Sequence, residues 1–159
     1  MNPCPCGYFT DPRRACSCST TKIQNYMGKI SGPLLDRIGI HIELPSVKYK
    51  ELTDTRSTEP SKVIKERVEK TRLIQRVRFK SEGIFYNASM NTKLIKRYCM
   101  LNEETRELLK MAMTELGLSA RAYDKVLKVS RTIADLSESE GILAQHISEA
   151  IQYRSLDRW

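Results

Sequence analysis

Four cysteines near the start of the chain are the residues whose type and spacing most directly suggest chemistry. Cys4, Cys6, Cys16 and Cys18 form two C-x-C pairs separated by nine residues. Four thiolates can close around one tetrahedral Zn²⁺ and leave no position open for water, so such a site is structural and not catalytic. The loop around them carries few apolar residues. A bound metal would therefore hold together a segment that has little hydrophobic core of its own.

Two other states of these cysteines stay open at this point. The usual zinc knuckle is C-x₂-C, so the C-x-C spacing is a weaker match, and two disulfides or four unpaired thiols are the alternatives. The first residues have neither the basic region nor the apolar region of a signal peptide, and no apolar run is long enough to span a membrane. We therefore expect a cytoplasmic protein, where thiols stay reduced. Cys99 stands alone in a helical segment and is expected to be a packing residue.

A second feature is a concentration of positive charge. The chain has 159 residues and a net charge of +8. Residues 61–80 contain eight basic and two acidic residues, which makes this segment +6. The basic residues are Lys62, Lys65, Arg67, Lys70, Arg72, Arg76, Arg78 and Lys80. Such a segment indicates either a polyanion partner or a solvated helix face.

No complete active site can be assembled from the remaining residues. The chain lacks the G-x-x-x-x-G-K-[ST] phosphate loop, and no pair of carboxylates stands out as an acid–base couple. His41 and His146 have no nucleophile beside them and are expected to be structural. We therefore expect no independent catalysis from this chain.

The elements that would position these residues divide into a loop-rich start and a helical remainder. Residues 1–30 have little hydrophobic periodicity and predict a loop or a small clipped module. Alternation from Ile38 to Leu44 predicts one short strand ended by Pro45, although a single strand cannot form a sheet.

Helical periodicity governs the chain from Ser61 onward. Ser61 is predicted to cap a helix that runs to about Phe79, and a short helix is expected over residues 92–99. Asn102 is predicted to cap the next helix, and Gly117 to end it. The last two helices are expected after Ser119 and after the polar break at residues 137–141. Together these helices predict a small bundle.

Several ordered motifs resemble one known family. The motifs are Asn2-Pro-Cys-Pro-Cys-Gly, Ser31-Gly-Pro-Leu-Leu-Asp-Arg37, Leu118-Ser-Ala-Arg121-Ala-Tyr, Ser130-Arg-Thr-Ile-Ala-Asp-Leu136 and Ala150-Ile-Gln-Tyr-Arg154. They resemble the magnesium-chelatase-like AAA+ ATPases, in particular the ComM/YifB branch of competence proteins. One departure is Gly39, which stands where the family usually has Asp and could loosen the segment that follows Arg37.

The resemblance implies three residues directed at ATP. Asn2 would be the sensor-1 asparagine that orients the attacking water. Arg37 would be the arginine finger that reaches the ATP site of a neighbouring subunit, and Arg121 would be the sensor-2 arginine. Arginine suits these roles because its charged donors are fixed in a planar fork. Without the resemblance, Arg37 could simply pair with Asp36, and Arg121 could be a solvated cation.

The resemblance also implies an architecture. It makes the fold mainly α: the C-terminal helical lid bundle of an AAA+ ATPase, preceded by a Cys-rich loop and a remnant strand of the α/β core. Residues 1–50 would end the core, residues 51–91 would be a linker and basic helix, and residues 92–159 would form the lid.

Three functions follow as candidates. The first is the C-terminal part of a hexameric motor that uses ATP and Mg²⁺ to translocate on DNA, with branch migration in recombination. The second is a motor subunit that inserts Mg²⁺ into a porphyrin. The third is a stand-alone zinc-binding adaptor. No membrane partner is expected.

Overall fold

The computed structural model describes residues 2–44, 47 and 58–154. Pro45, Ser46 and residues 48–50 of the predicted core segment, residues 51–57 of the predicted linker and the last five residues of the predicted lid lie outside the described part. The chain divides into two compact units, one of residues 1–35 with 42–56 and the other of residues 36–41 with 57–159. The division of the sequence into three segments stays a prediction.

The described residues form seven α-helices, one short 3-10 helix and no strand. In chain order they are α1 Thr20–Met27, α2 Gly32–Leu35, α3 Ser61–Arg78, the 3-10 helix Asn87–Ser89, α4 Thr92–Tyr98, α5 Glu103–Glu115, α6 Ala120–Leu136 and α7 Ala144–Gln152. The mainly helical fold class is thus confirmed. None of these helices is long and apolar enough to cross a membrane.

The second unit is a helical bundle built around α6. This helix packs against α3, α4 and α7, and α5 packs against α7. Its inward face buries Val126, Leu127 and Ala134, which meet Leu109 of α5 and Ile147 of α7 in one continuous core. The periodic apolar positions of the sequence are therefore the ones that form the core.

The helix ends follow the predicted capping residues with one exception. The side chains of Asn102 and Ser119 accept hydrogen bonds from the backbone N–H groups of Thr105 and Ala122, at 2.9 and 3.2 Å. Gly117 has φ of +59°, the left-handed conformation that commonly follows the C-terminus of a helix. The exception is α3: Ser61 is its first helical residue and not its cap, because Pro60 holds the extended cap conformation without a side-chain hydrogen bond.

The predicted strand from Ile38 to Leu44 is not formed in the described residues. A strand needs a partner for its backbone groups, and the described part of the chain offers none. Instead, residues 36–41 belong to the helical unit, while residues 42–44 belong to the first unit. Ile40, Ile42 and Leu44 remain exposed.

The first unit contains a helix that the sequence did not predict, because residues 1–30 show little hydrophobic periodicity. Helix α1 begins at Thr20 because Ser19 caps it, its side chain accepting from the Lys22 N–H at 3.4 Å. Neither α1 nor α2 has a buried residue. Among the described apolar side chains of this unit, Cys4 is the buried one. The unit is thus held by its cysteine cluster more than by apolar packing.

Candidate metal centre and the segment that carries Arg37

The four N-terminal cysteines converge on one point. All four sulfur atoms lie within 4.8 Å of one another. The Sγ–Sγ distances are 3.4 Å for Cys4–Cys6, 3.7 Å for Cys4–Cys16 and 3.5 Å for Cys6–Cys16. A tetrahedron with Zn–S bonds of about 2.3 Å has sulfur atoms roughly 3.8 Å apart. The cluster therefore fits one metal ion, and its sulfurs are too far apart for disulfide bonds, which join sulfur atoms at about 2.05 Å.

Local backbone turns bring the two C-x-C pairs together. The N–H of Gly7 donates to the carbonyl of Cys4 at 3.0 Å, and Gly7 has φ of +83°, which only glycine adopts readily. Two further backbone N–H groups donate to sulfur, Phe9 to Cys4 at 3.3 Å and Cys18 to Cys16 at 3.4 Å. Donors of this kind stabilise thiolates, which are the form that binds metal.

The electrostatics of the cluster also favour metal binding. Hydrogen bonds from the backbone of Tyr8 and then of Ser17 lower the pKa of Cys6 to about 5. At Cys16 the backbone of Cys18 acts in the same direction, but desolvation and the contacts with Cys6 and Cys4 outweigh it and raise the pKa to about 12. The pKa of Cys4 is lowered as well and that of Cys18 is raised, so deprotonation is favoured at two of the four cysteines and resisted at the other two. A divalent cation removes that resistance by compensating the added negative charge.

Residues 36–41 are fixed to the helical unit at several points. Ser119, the cap of α6, donates its hydroxyl to Oδ1 of Asp36 at 3.0 Å. Lys125 of α6 donates to the carbonyl oxygen of Arg37, and Arg154 donates to the carbonyl oxygen of Ile38. The His41 N–H donates to the carbonyl of Tyr153 at 2.7 Å. The backbone on both sides of Arg37 is thereby held.

The Arg37 side chain itself is exposed. Asp36 contacts Ser119 and lies 3.9 Å from Arg154, so it does not form the ion pair with Arg37 that the sequence left open. Within the described part of the chain the guanidinium of Arg37 has no hydrogen-bond or ion-pair partner. An anchored backbone with an available guanidinium is an arrangement that can deliver positive charge to an external phosphate.

The other two residues singled out by the resemblance lie in different units. Arg121 is exposed in the first turn of α6, two residues after Ser119, and belongs to the same unit as Arg37. Asn2 belongs to the first unit, beside the cysteine cluster, where a Cβ added to Gly7 would lie 3.6 Å from its side-chain nitrogen. Their roles toward ATP stay predictions.

Sequence reasoning missed the polar centre of the bundle. Asp135, whose side chain is fully buried, accepts from Arg78 at 2.5 and 2.6 Å, from Arg131 at 3.0 Å and from Asn87 at 2.8 Å. A signal for it is present in the motif that ends at Leu136, since that motif contains both Arg131 and Asp135 at helical spacing. Arg78 belongs to the basic run by sequence, but the fold uses it internally. Arg154, which ends another motif, proves to anchor the Arg37 segment.

The two histidines have different surroundings. Nδ1 of His146 accepts the N–H of Leu143 at 3.1 Å and so closes the first turn of α7. Burial, with a smaller effect of Arg131, lowers the pKa of His146. His41 is buried within the segment anchored by Tyr153.

Two protein-family matches together cover all the described residues. Residues 58–154 match the family "Magnesium chelatase, subunit ChlI C-terminal", and residues 1–52 match "Magnesium chelatase, subunit ChlI". The chain is 40% identical to competence protein ComM of Haemophilus influenzae and 36% identical to the uncharacterized protein YifB of Escherichia coli, over 99% of its own length in both cases. It spans 30% of the length of each of these relatives. The chain therefore belongs to the magnesium chelatase ChlI family and is of the ComM/YifB type.

Proposed function

We propose that this chain supplies part of the ATP-hydrolysing machinery of an AAA+ motor. In this proposal Arg37 is the arginine finger, Arg121 is the sensor-2 residue and Asn2 is the sensor-1 residue, and ATP and Mg²⁺ bind to the assembled motor. The subunits form a ring, which we take to be hexameric, and the motor moves along DNA and drives branch migration in recombination. The protein works in the cytoplasm.

The observation that carries the proposal is the anchoring of the Arg37 segment. Ser119, Lys125 and Arg154 all hold residues 36–38, while the Arg37 guanidinium stays available. A finger must reach a phosphate in a fixed geometry, because a displacement of about 1 Å can cost two orders of magnitude in rate. Two of these anchors lie at α6, the helix that carries Arg121. A change in the position of α6 would therefore move the finger with it.

The cysteine cluster has a structural role in this proposal. A Zn²⁺ held by Cys4, Cys6, Cys16 and Cys18 would close the loop that follows Asn2. With four protein ligands there is no open position for a water or a substrate, so the metal would support the fold and take no part in hydrolysis.

The test is ATP hydrolysis by a chimera in which this chain replaces the matching 30% of H. influenzae ComM. Arg37→Ala should lower turnover by about 10³ or more, the loss typical of removing an arginine finger. Arg106→Ala is the matched control, since Arg106 is also exposed and contacts only Glu103 and the carbonyl oxygen of Leu101, both close to it in sequence, among the described residues. Equal turnover of the Arg37→Ala and Arg106→Ala chimeras would contradict the finger role.

A second candidate function is insertion of Mg²⁺ into a porphyrin. The observation that favours it is the match of both parts of the chain to magnesium chelatase subunit families. The two functions differ in what stimulates hydrolysis. DNA should raise the turnover of the chimera under the first proposal, and a porphyrin with free Mg²⁺ should raise it under the second.

A further inference from the structure

A cleft of about 480 Å³ opens at the C-terminal end of α3. Its lining comprises Arg76 and Lys80, the buried Phe79, and the loop from Gly83 to Tyr86. Gly83 lies in this loop with φ of +68°, a conformation that glycine adopts readily. All these residues belong to the helical unit and are separate in sequence from the residues proposed to act on ATP.

Two aromatic side chains at the rim of this cleft face solvent. Phe85 is 63% exposed and Tyr86 is 46% exposed, and their ring centroids are 6.4 Å apart. Both rings lie outside the apolar core of the bundle, although they are only a few residues from Met90, which is inside it. Adjacent exposed rings are typical of a surface that receives another flat group.

Positive charge lies beside the rings. Arg76, in the last turn of α3, and Lys80, just beyond its end, are exposed, and no carboxylate of the described residues forms an ion pair with either of them. The nearby carboxylate of Glu82 is already bound by Arg97 at 2.7 Å. The exposed residues Lys62 and Lys65 add positive charge along the same helix, whereas Arg72 is paired with Glu69 at 3.7 Å.

We propose that this cleft binds single-stranded DNA, with bases stacked on Phe85 and Tyr86 and phosphates bound by Arg76 and Lys80. Exposed aromatic rings next to a line of cations are the two parts of a single-strand binding surface, because every base has a face that can stack. A duplex hides its base faces and would use only the cations. The choice of DNA over RNA rests on the proposed function, whereas the stacking surface itself does not.

The test is fluorescence anisotropy with the 159-residue chain and a labelled oligothymidine of about 20 nucleotides, which is longer than the usual footprint of about 4–16. Phe85→Ala with Tyr86→Ala should weaken binding by about tenfold or more, the loss typical of removing stacking on one base. Phe85→Trp with Tyr86→Trp should retain it. Far-UV circular dichroism checks that each variant keeps its helices, as expected for exposed positions.

Two double variants test how much the positive charges contribute to binding. Arg76→Gln with Lys80→Gln should lower the slope of log affinity against log salt by about 1.4, from roughly 0.7 for each single-strand phosphate contact. Lys93→Gln with Lys96→Gln removes the same charge from exposed positions on α4 and should leave the slope nearly unchanged.

Four results would overturn the inference: no binding at low salt, equal affinity for a duplex of the same length, equal losses in the two charge pairs, or displacement of the oligonucleotide by polyglutamate at matched charge. Tighter binding of oligouridine than of oligothymidine would overturn the choice of DNA. The first four results leave the proposed ATP-hydrolysing role untouched, because that role is judged by the Arg37 dependence of ATP hydrolysis in the chimera. Conversely, if ATP hydrolysis proved independent of Arg37, the proposal of a stacking surface would be unaffected.

Discussion

Replacing Asp135 by Asn is the change whose effect can be worked out most fully from the structure. The Asp135 side chain has no exposed surface and is bound by two guanidiniums, those of Arg78 and Arg131, whose side chains are 15% and 4% exposed. The amide introduced by Asp135→Asn would keep the shape of the side chain but remove the charge that both arginines pair with. Breaking a buried ion pair from one side costs about 3–5 kcal/mol, because an uncompensated charge stays behind. That loss is a large part of the roughly 5–15 kcal/mol that typically holds a domain together.

The control for this prediction is Glu138→Gln. Glu138 also pairs with a basic residue of α3, Lys70 at 2.6 Å, but both side chains are about 60% exposed. An exposed pair contributes about 0–1 kcal/mol. Urea unfolding followed by circular dichroism compares the two variants, with the slope of the transition confirming that the surface exposed on unfolding is unchanged. Equal midpoints for Asp135→Asn and Glu138→Gln would refute the reasoning, since burial would then make no difference.

Three further predictions concern other parts of the chain. The purified protein should contain about one zinc per chain, and Cys16→Ser should reduce this below about 0.2 by elemental analysis, whereas full retention would contradict a four-thiolate site. Gly117→Ala should lower the free energy of unfolding by about 1–2 kcal/mol, because φ is +59° there, while Gly39→Ala, which meets no atom within 4 Å, should change it little in the same urea titration. The free energy of unfolding should fall as the pH drops below about 6.5, because the lowered pKa of His146 keeps the folded chain from taking a proton that the unfolded chain accepts. His146→Gln should show a smaller fall in this free energy between about pH 7.5 and 5.5. An identical fall in the variant would exclude His146 as the cause.

The features that the sequence predicted well depend on neighbours along the chain. The caps at Asn102 and Ser119 and the C-terminal glycine at Gly117 act within one helical turn, so their residue types alone locate the helix ends. The cysteine cluster is also local, since its two C-x-C pairs are separated by a short loop. In both cases the chain has little freedom to place the groups elsewhere.

The features that sequence reasoning missed depend on distant contacts. Arg78 and Asp135 are 57 residues apart, and nothing in the basic run distinguishes the arginine that turns inward from its exposed neighbours. The anchoring of the Arg37 segment by Arg154 joins residues 116 positions apart. The alternation after Ile38 predicts a strand, yet the backbone groups of Ile38 and His41 bond to Arg154 and Tyr153, which follow α7. Short-range patterns carry no information about such partners.

Mixing two inactive chimeras tests the central claim, that Arg37 acts on ATP held by a neighbouring subunit. The first chimera carries Arg37→Ala, and the second keeps Arg37 but has the ATP-binding residues of the ComM part disabled. A finger that acts between subunits predicts that mixed rings recover ATP hydrolysis, because some intact fingers then face intact ATP sites. If mixed rings form and hydrolysis stays at the level of the separate variants, the claim is contradicted.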